Sequence, residues 1–193
     1  MLINNLYDFD KTILEKDSFL MFYFYLLKRK PILFWHFFVM VFKAILCILG
    51  IVSIEKFKET ILHIYNYFDN REKILSDFAL KAKQKTNAYY LKQMRDDDVV
   101  CSASPTFIVK AIMDTINPNA IVIGSEISKD TLKYVDGEKN CKGANKIVAL
   151  KKYFKTDIIE CENAYSDSLS DIYLFDIAKR AYMIVSGKPV LYK

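Results

Sequence analysis

The sequence predicts an α/β protein in which a parallel-sheet core is interrupted by a block of helices. Three observations predict it. After residue 98, short β-prone runs alternate with helix-length segments, the pattern of strands joined by crossover helices. Residues 2–7 (Leu-Ile-Asn-Asn-Leu-Tyr) form an apolar-biased run that leads straight into Asp8-Phe9-Asp10, as a buried strand ending in an acidic loop would. Between these regions, residues 19–94 read as helical throughout. A chain of 193 residues suits one domain with an insert, and is long enough to bury a sizeable core. The expected division is a core of residues 1–13 and 95–193, with a helical insert at 14–94.

In the insert, Leu20–Leu27 is apolar, and Pro31 after Lys28-Arg29-Lys30 suits the first turn of a new helix. Residues 32–52 are almost entirely apolar, whereas 55–94 switch to an ordinary amphipathic pattern. In the core, Val99-Val100-Cys101 is a strand stopping at Ser102-Ala103-Ser104-Pro105. A helix over 107–116 and a strand over 120–124 follow. Residues 130–142 read as turns, with Asp136-Gly137 as a hairpin signal. A helix is expected over 145–154 and a weak strand over 158–165, with Ser166-Asp167-Ser168 as the loop at its end. A helix over 172–181 and a final strand over 182–185 complete the reading. There is no internal repeat.

Composition narrows the function classes. Five glycines, four prolines and 52% hydrophobic residues exclude collagen, low-complexity linker and wholesale disorder. The net charge of +5 is mild. Its basic residues are dispersed, and the aromatics gather in the apolar insert, so no nucleic-acid partner is expected. Cys47, Cys101, Cys141 and Cys161 make no Cys-x-x-Cys pair, and His36 and His63 stand alone. Neither zinc nor a disulfide framework is expected; the thiols read as structural groups in a reducing, cytoplasmic setting. Met1–Asp10 has no basic start and places acids early, which does not suit a cleaved signal peptide.

The chemistry lies in four short motifs. In an open α/β sheet, ligands sit outside the carboxyl ends of the strands. Asp8 and Asp10, Ser102, and Asp167 with Asp171 each follow a candidate strand, and Lys146 opens a candidate helix. Carboxylates, a hydroxyl and an ammonium at one edge suit Mg²⁺ and a phosphate: hard oxygen ligands hold the cation, a carboxylate can attack phosphorus, and lysine offsets the accumulated charge. Ser104 reads as the cap of the helix after Pro105.

Asp8-Phe9-Asp10-Lys11-Thr12, Val99-Val100-Cys101-Ser102, Lys146 and Ser166-Asp167-Ser168-Leu169-Ser170-Asp171, in this order over nearly the whole chain, resemble the haloacid dehalogenase superfamily of phosphatases. The helical insert resembles the phosphoserine-phosphatase-like branch. Asp17-Ser18, Ser102-Ala103-Ser104-Pro105, Cys141–Lys146 and Tyr165–Ser168 are most similar to the class C phosphatidylglycerophosphate phosphatases.

The resemblance implies a Rossmann-like core with a helical cap over the site. It implies Asp8 as the nucleophile and Asp10 as the acid and then base. Ser102 would bond a phosphoryl oxygen and Lys146 would neutralise charge. Mg²⁺ would be held by Asp8, the backbone carbonyl of Asp10 and Asp167, with Asp171 supporting from behind. Lys142 is the alternative to Lys146; the latter opens the helix and its spacing to Asp167 fits better. Two positions depart from the family pattern. Lys11 and Ser166 stand where glycine is usual, which is expected to alter loop freedom rather than the chemical groups.

Residues 31–53 are long enough to span a bilayer. A single crossing would nevertheless separate Asp8 from Ser102, Lys146 and Asp167. The expectation is a cap that dips into one leaflet, with its basic flanks on anionic headgroups; the alternative is a soluble cap that buries its apolar faces. The corresponding substrates are a lipid phosphate, or a soluble phosphomonoester such as phosphoserine. A non-enzymatic membrane or protein-binding module is the remaining reading.

Overall fold

The computed structural model describes residues 1–193. Strand β1 (Leu2–Tyr7) is followed by an irregular turn (Phe9–Ile13) and five helices: α1 (Ser18–Arg29), α2 (Trp35–Ile48), α3 (Ile54–Leu62), α4 (Arg71–Lys83) and α5 (Ala88–Gln93). The chain then runs through β2 (Val99–Pro105), α6 (Thr106–Ile116), β3 (Ile121–Ser125), α7 (Ala144–Phe154), β4 (Glu160–Ser166), α8 (Ile172–Asp176), β5 (Ala178–Val185) and β6 (Lys188–Leu191). All five helices of the insert lie between β1 and β2.

The strands form one sheet in the order β3-β2-β1-β4-β5-β6. β1 to β5 run parallel and β6 is antiparallel at the edge. The strand order reverses at β1, so the crevice beside its carboxyl end is the favoured ligand position. Tyr7 pairs with Val100 on one side and Tyr165 on the other. That register sets Asp8 level with Cys101 and Ser166, one residue short of Ser102 and Asp167.

Two cores cover the sheet. On one face, Ile108, Val109, Ile112 and Met113 of α6 pack with Phe22, Leu26, Phe78 and Ala82 of the insert, so α6 is the floor on which the helical block sits. On the other, Leu150 of α7 and Leu174 and Phe175 of α8 pack with Ile3, Leu6, Cys161 and Ala164. Tyr7, Tyr165 and Tyr182 stack across β1, β4 and β5 with centroids 4.5 and 4.9 Å apart. Such registered aromatic pairs contribute beyond their area. Cys101, Cys141 and Cys161 are buried and free.

The structure corrects the end of the sequence reading. The helix expected over 172–181 stops at Asp176, and the final strand starts at Ala178 rather than 182. Ala178-Lys179-Arg180-Ala181 has helix-forming composition, but pairing with β4 and burial of Ala178 and Ala181 override it. β6 was not expected. Ser186 and Gly187, both with positive φ (50° and 72°), make the hairpin turn into it. β2 continues through Pro105, with an irregularity after Cys101. The turn at Asp136-Gly137 joins no strands; the bridge in that loop pairs Ile127 with Tyr134 instead.

α2 and its preceding turn form an apolar stretch, Pro31–Ile48, of mean hydropathy 2.1 and only 17% buried. Leu33 and His36 face inward. Phe38, Phe42, Ile48 (85% exposed) and Ile51 (67%) face outward. The insert therefore does not bury its most apolar helix internally.

Candidate active site

The loops after β1 and β4, the carboxyl end of β2 and the start of α7 meet at the carboxyl edge of the sheet around a cavity of about 180 Å³. Its walls carry Asp8, Asp10, Lys146, Asp167 and Asp171, with Ala103 as the apolar element. Lys142 also lines it but is exposed.

Lys146 is buried and bridges two carboxylates. Its Nζ donates to Asp8 Oδ1 at 2.6 Å and to Asp171 Oδ2 at 2.7 Å. Of the two lysines weighed from sequence, only Lys146 makes these contacts. Burial disfavours its charge, but Asp8 and Asp171 more than offset that and hold its pKa above the ordinary value. Burial pushes Asp8 up to about 7; Lys146 opposes this, while Asp171 and Asp10 add to it. One buried lysine thus leaves a surplus of negative charge.

Asp10 is held from two directions. Its Oδ1 accepts from the Ser18 backbone N–H at 2.6 Å, and its Oδ2 accepts from Ser104 Oγ at 2.5 Å. Ser18 Oγ in turn donates to Ser104 Oγ at 3.1 Å. Burial and then Asp17 raise Asp10 to about 6, against the Ser104 and Ser18 bonds. Ser104 is therefore not the helix cap expected from sequence: Pro105 occupies that position, and the Ser104 hydroxyl orients Asp10. A Cβ at Gly124 would sit 2.8 Å from the Ser104 carbonyl oxygen, so glycine there permits β3 to lie against the end of β2.

Ser102 is fully buried and is not on the cavity wall. Its Oγ accepts the Ser104 N–H at 3.0 Å, so in this arrangement it supports Ser104 from behind the wall, and the bond to a phosphoryl oxygen expected from sequence is not prepared here. Asp167 is half-buried. Its backbone N–H donates to Thr12 Oγ1 at 3.0 Å, which ties the first motif to the fourth and leaves the carboxylate to the cavity. Burial raises the Asp167 pKa, opposed first by Lys11.

The two departures from the glycine pattern have different consequences. Lys11 has φ 57° and ψ 5°, the left-handed conformation that glycine adopts freely. Ser166 has no such backbone demand, yet it alters the chemistry: its Oγ donates to Asp171 Oδ2 at 2.8 Å. The expectation that it changes only loop freedom is thereby corrected.

Sequence reasoning also missed Lys58. This buried α3 lysine donates to the Ala103 carbonyl at 2.6 Å and to Asn140 Oδ1 at 2.7 Å. It fastens the insert to the carboxyl end of β2 and to the segment that precedes α7. Burial lowers its pKa to about 8. Only its partners identify it, and these lie 45 and 82 residues away.

No three His, Cys, Asp or Glu side chains form a ready-made metal cluster. The set expected for Mg²⁺ contains only two carboxylates, Asp8 and Asp167, and one backbone carbonyl. An all-oxygen donor set with surplus negative charge on a small cavity fits a hard divalent cation that keeps several waters. His36 lies against Tyr23 and, with His63, lines a separate cavity under α2.

No curated protein matches the chain by sequence. Among solved structures, a phosphoserine phosphohydrolase-like protein from Francisella tularensis is similar at 17% identity and TM-score 0.57, over 94% of this chain and 86% of that one. A protein of unknown function from Bordetella pertussis is similar at 14% identity and TM-score 0.69, over 94% and 89%. A HAD family hydrolase from Salmonella enterica serovar Typhi reaches 11% and 0.54, over 92% and 60%. At these identities the likeness shows the fold. The family model for haloacid dehalogenase-like hydrolases matches residues 6–176, from the end of β1 to the end of α8, and the chain belongs to that family.

Proposed function

We propose that the protein is a Mg²⁺-dependent phosphomonoesterase working through a phosphorylated Asp8, with a lipid phosphate as substrate. The observation that carries the reaction is Lys146 bridging Asp8 and Asp171 on one small cavity with Asp10.

In the first step an Asp8 carboxylate oxygen bonds to phosphorus as the ester P–O bond breaks. Asp10 gives its proton to the leaving oxygen, so an alcohol departs. In the second step Asp10 takes a proton from water, the water oxygen bonds to phosphorus, and the acyl–phosphate bond breaks. Inorganic phosphate leaves, and both aspartates return to their starting states. Burial and the Asp17 carboxylate raise the Asp10 pKa, which favours the protonated form that the first step needs. Lys146 holds Asp8 in place, and Asp171, fixed by Ser166, holds Lys146. Ser102, behind the cavity wall, accepts the Ser104 N–H and so supports the serine that holds Asp10. Asp8, the Asp10 carbonyl and Asp167 would hold Mg²⁺, which supplies charge neutralisation for the phosphoryl oxygens.

The lipid reading is supported by the exposed apolar face of α2. No acid occurs between Asp17 and Glu55, while Lys28, Arg29, Lys30 and Lys43 do. A basic, acid-free apolar segment suits an anionic membrane surface on the cytoplasmic side.

The test is phosphate release by wild type and Asp8→Asn from lipid phosphates, including phosphatidylglycerophosphate, and from soluble esters, including phosphoserine. Each is run with Mg²⁺ or chelator, and with or without detergent. Turnover of lipid phosphates that needs both Asp8 and Mg²⁺ is expected. Preference for soluble esters would remove the lipid substrate and keep the chemistry. Equal activity in Asp8→Asn would overturn the chemistry.

A further inference from the structure

Beside the catalytic cavity lies a larger groove of about 690 Å³ between α1 and α4. Asp17, which caps α1, lines both spaces. From Asp17 the groove follows α1 to Lys28, eleven residues or about 16 Å along the axis.

Its floor is apolar. Leu20 and Phe24, one turn apart on α1, line it together with Phe78 of α4. Leu20 and Phe24 are 41% and 42% exposed, although the core already uses the other face of α1 through Phe19, Phe22, Tyr23 and Leu26. Its rim is basic. Lys16, Lys28 and Lys81 line it, and none has a carboxylate partner. Its outer end reaches α2: the Phe24 ring lies 6.3 Å from Phe37.

We infer that this groove holds the leaving group of the substrate, and that the leaving group is an anionic amphiphile whose chain lies along Leu20 and Phe24. This deepens the proposed phosphatase reading and rests on it. The apolar floor removes the chain from water, and the unpaired lysines match a negative occupant. Asp17 joins the chain's seat to the phosphate's seat. The contact with α2 connects the groove to the most apolar surface of the molecule. A neutral or cationic amphiphile would satisfy the floor but not the rim.

The experiment is calorimetric titration of Asp8→Asn protein, with Mg²⁺, with the phosphate monoesters of 2-hydroxyhexanoate, 2-hydroxyoctanoate and 2-hydroxydecanoate below their micelle concentrations; their leaving groups are anionic amphiphiles. Heptyl phosphate, which is the octanoate ester without its carboxylate and has a neutral leaving group, is the control. Affinity for the esters is expected to rise up to about four-fold per methylene, and at least 20-fold from the hexanoate to the decanoate. In Leu20→Asn with Phe24→Asn, that ratio is expected to fall below about three-fold. Both side chains are partly exposed, and circular dichroism verifies the fold. Lys81→Glu, at the rim, is expected to weaken the octanoate ester at least five-fold and heptyl phosphate much less. Equal affinity across chain lengths, a chain-length ratio that survives the Leu20 and Phe24 substitutions, or equally tight binding of heptyl phosphate and the octanoate ester would overturn the inference. Loss of turnover in wild type would strike the phosphatase reading alone, because the chain-length ratio is read from binding.

Discussion

Ser104 Oγ donates to Asp10 Oδ2 at 2.5 Å, so a serine two residues beyond the motif serine fixes the proposed acid–base. Removing that hydroxyl frees one Asp10 oxygen and leaves only the Ser18 N–H on the other. Misplacement of a catalytic group by about 1 Å can cost a factor of 10². Ser104→Ala is expected to lower kcat for an aryl phosphate by about 10- to 100-fold while the thermal midpoint moves little. Steady-state kinetics and a melting curve check both halves. Unchanged kcat would show that Ser18 alone orients Asp10.

Lys146 faces two carboxylates in a buried setting. Removing it leaves like charges close together with no cation, which costs about 3–5 kcal/mol for a buried pair. Lys146→Met, of similar length, is expected to lose activity and to unfold at distinctly lower urea concentration. Lys142→Met, at an exposed position without these contacts, is expected to keep its urea midpoint. Equal midpoints for the two variants would refute the bridging role.

Much of the cavity's lining was legible in the sequence because its acids follow strands, Asp8 and Asp167 directly after β1 and β4, and Asp10 and Asp171 a few residues on. An apolar run fixes where a strand ends, and the sheet brings the ends together; the order and spacing of the four motifs single out Asp8, Asp10, Asp167 and Asp171. Ser104 and Ser166 were read locally, as a helix cap and as a loop residue. Their functions depend on Asp10, 94 residues away, and on side-chain direction at Asp171. β5 was half hidden because its first four residues have helix-forming composition and become a strand only through burial against β4. β6 did carry a signal, the Ser186-Gly187 pair between two short runs, and it was overlooked.

The outward face of α2 carries its own prediction. Ile48 and Leu49 are 85% and 65% exposed at the end of the helix, next to Leu46. Burying such side chains in an interface stabilises by about 1.5–3 kcal/mol each when complete. Replacing all three by serine is expected to release the protein from phosphatidylglycerol vesicles in a flotation assay. Wild-type binding to phosphatidylcholine is expected to be weaker, since the basic flanks then have no partner. Persistent flotation of the triple variant would argue against lipid contact at this end.

Lys11 is left-handed in a turn where glycine is free to be so. For an ordinary side chain that conformation costs about 1–2 kcal/mol. Glycine gives back part of it through greater freedom when unfolded. Lys11→Gly is expected to raise stability by about 0.5–1 kcal/mol in urea unfolding. It also removes the positive charge that opposes the rise of the Asp167 pKa. A destabilised Lys11→Gly would mean that this charge outweighs the backbone strain.

Lys58 provides a pH signature for the fastening of the insert to the core. Burial lowers its pKa from 10.5 to about 8, so between those values the unfolded chain binds more protons than the folded one. Stability from this group therefore rises with pH across that window and is flat below it. The amine that remains after deprotonation still has two hydrogens for its two acceptors, the Ala103 carbonyl and Asn140 Oδ1. Lys58→Met does not titrate, so the difference in unfolding free energy between wild type and variant isolates the effect. That difference is expected to shift in favour of wild type by up to about 3 kcal/mol from pH 8 to 10.5. Urea unfolding of both proteins at four or five pH values measures it. A constant difference would mean that Lys58 keeps its ordinary pKa, as it would if the insert swings away and exposes it to water.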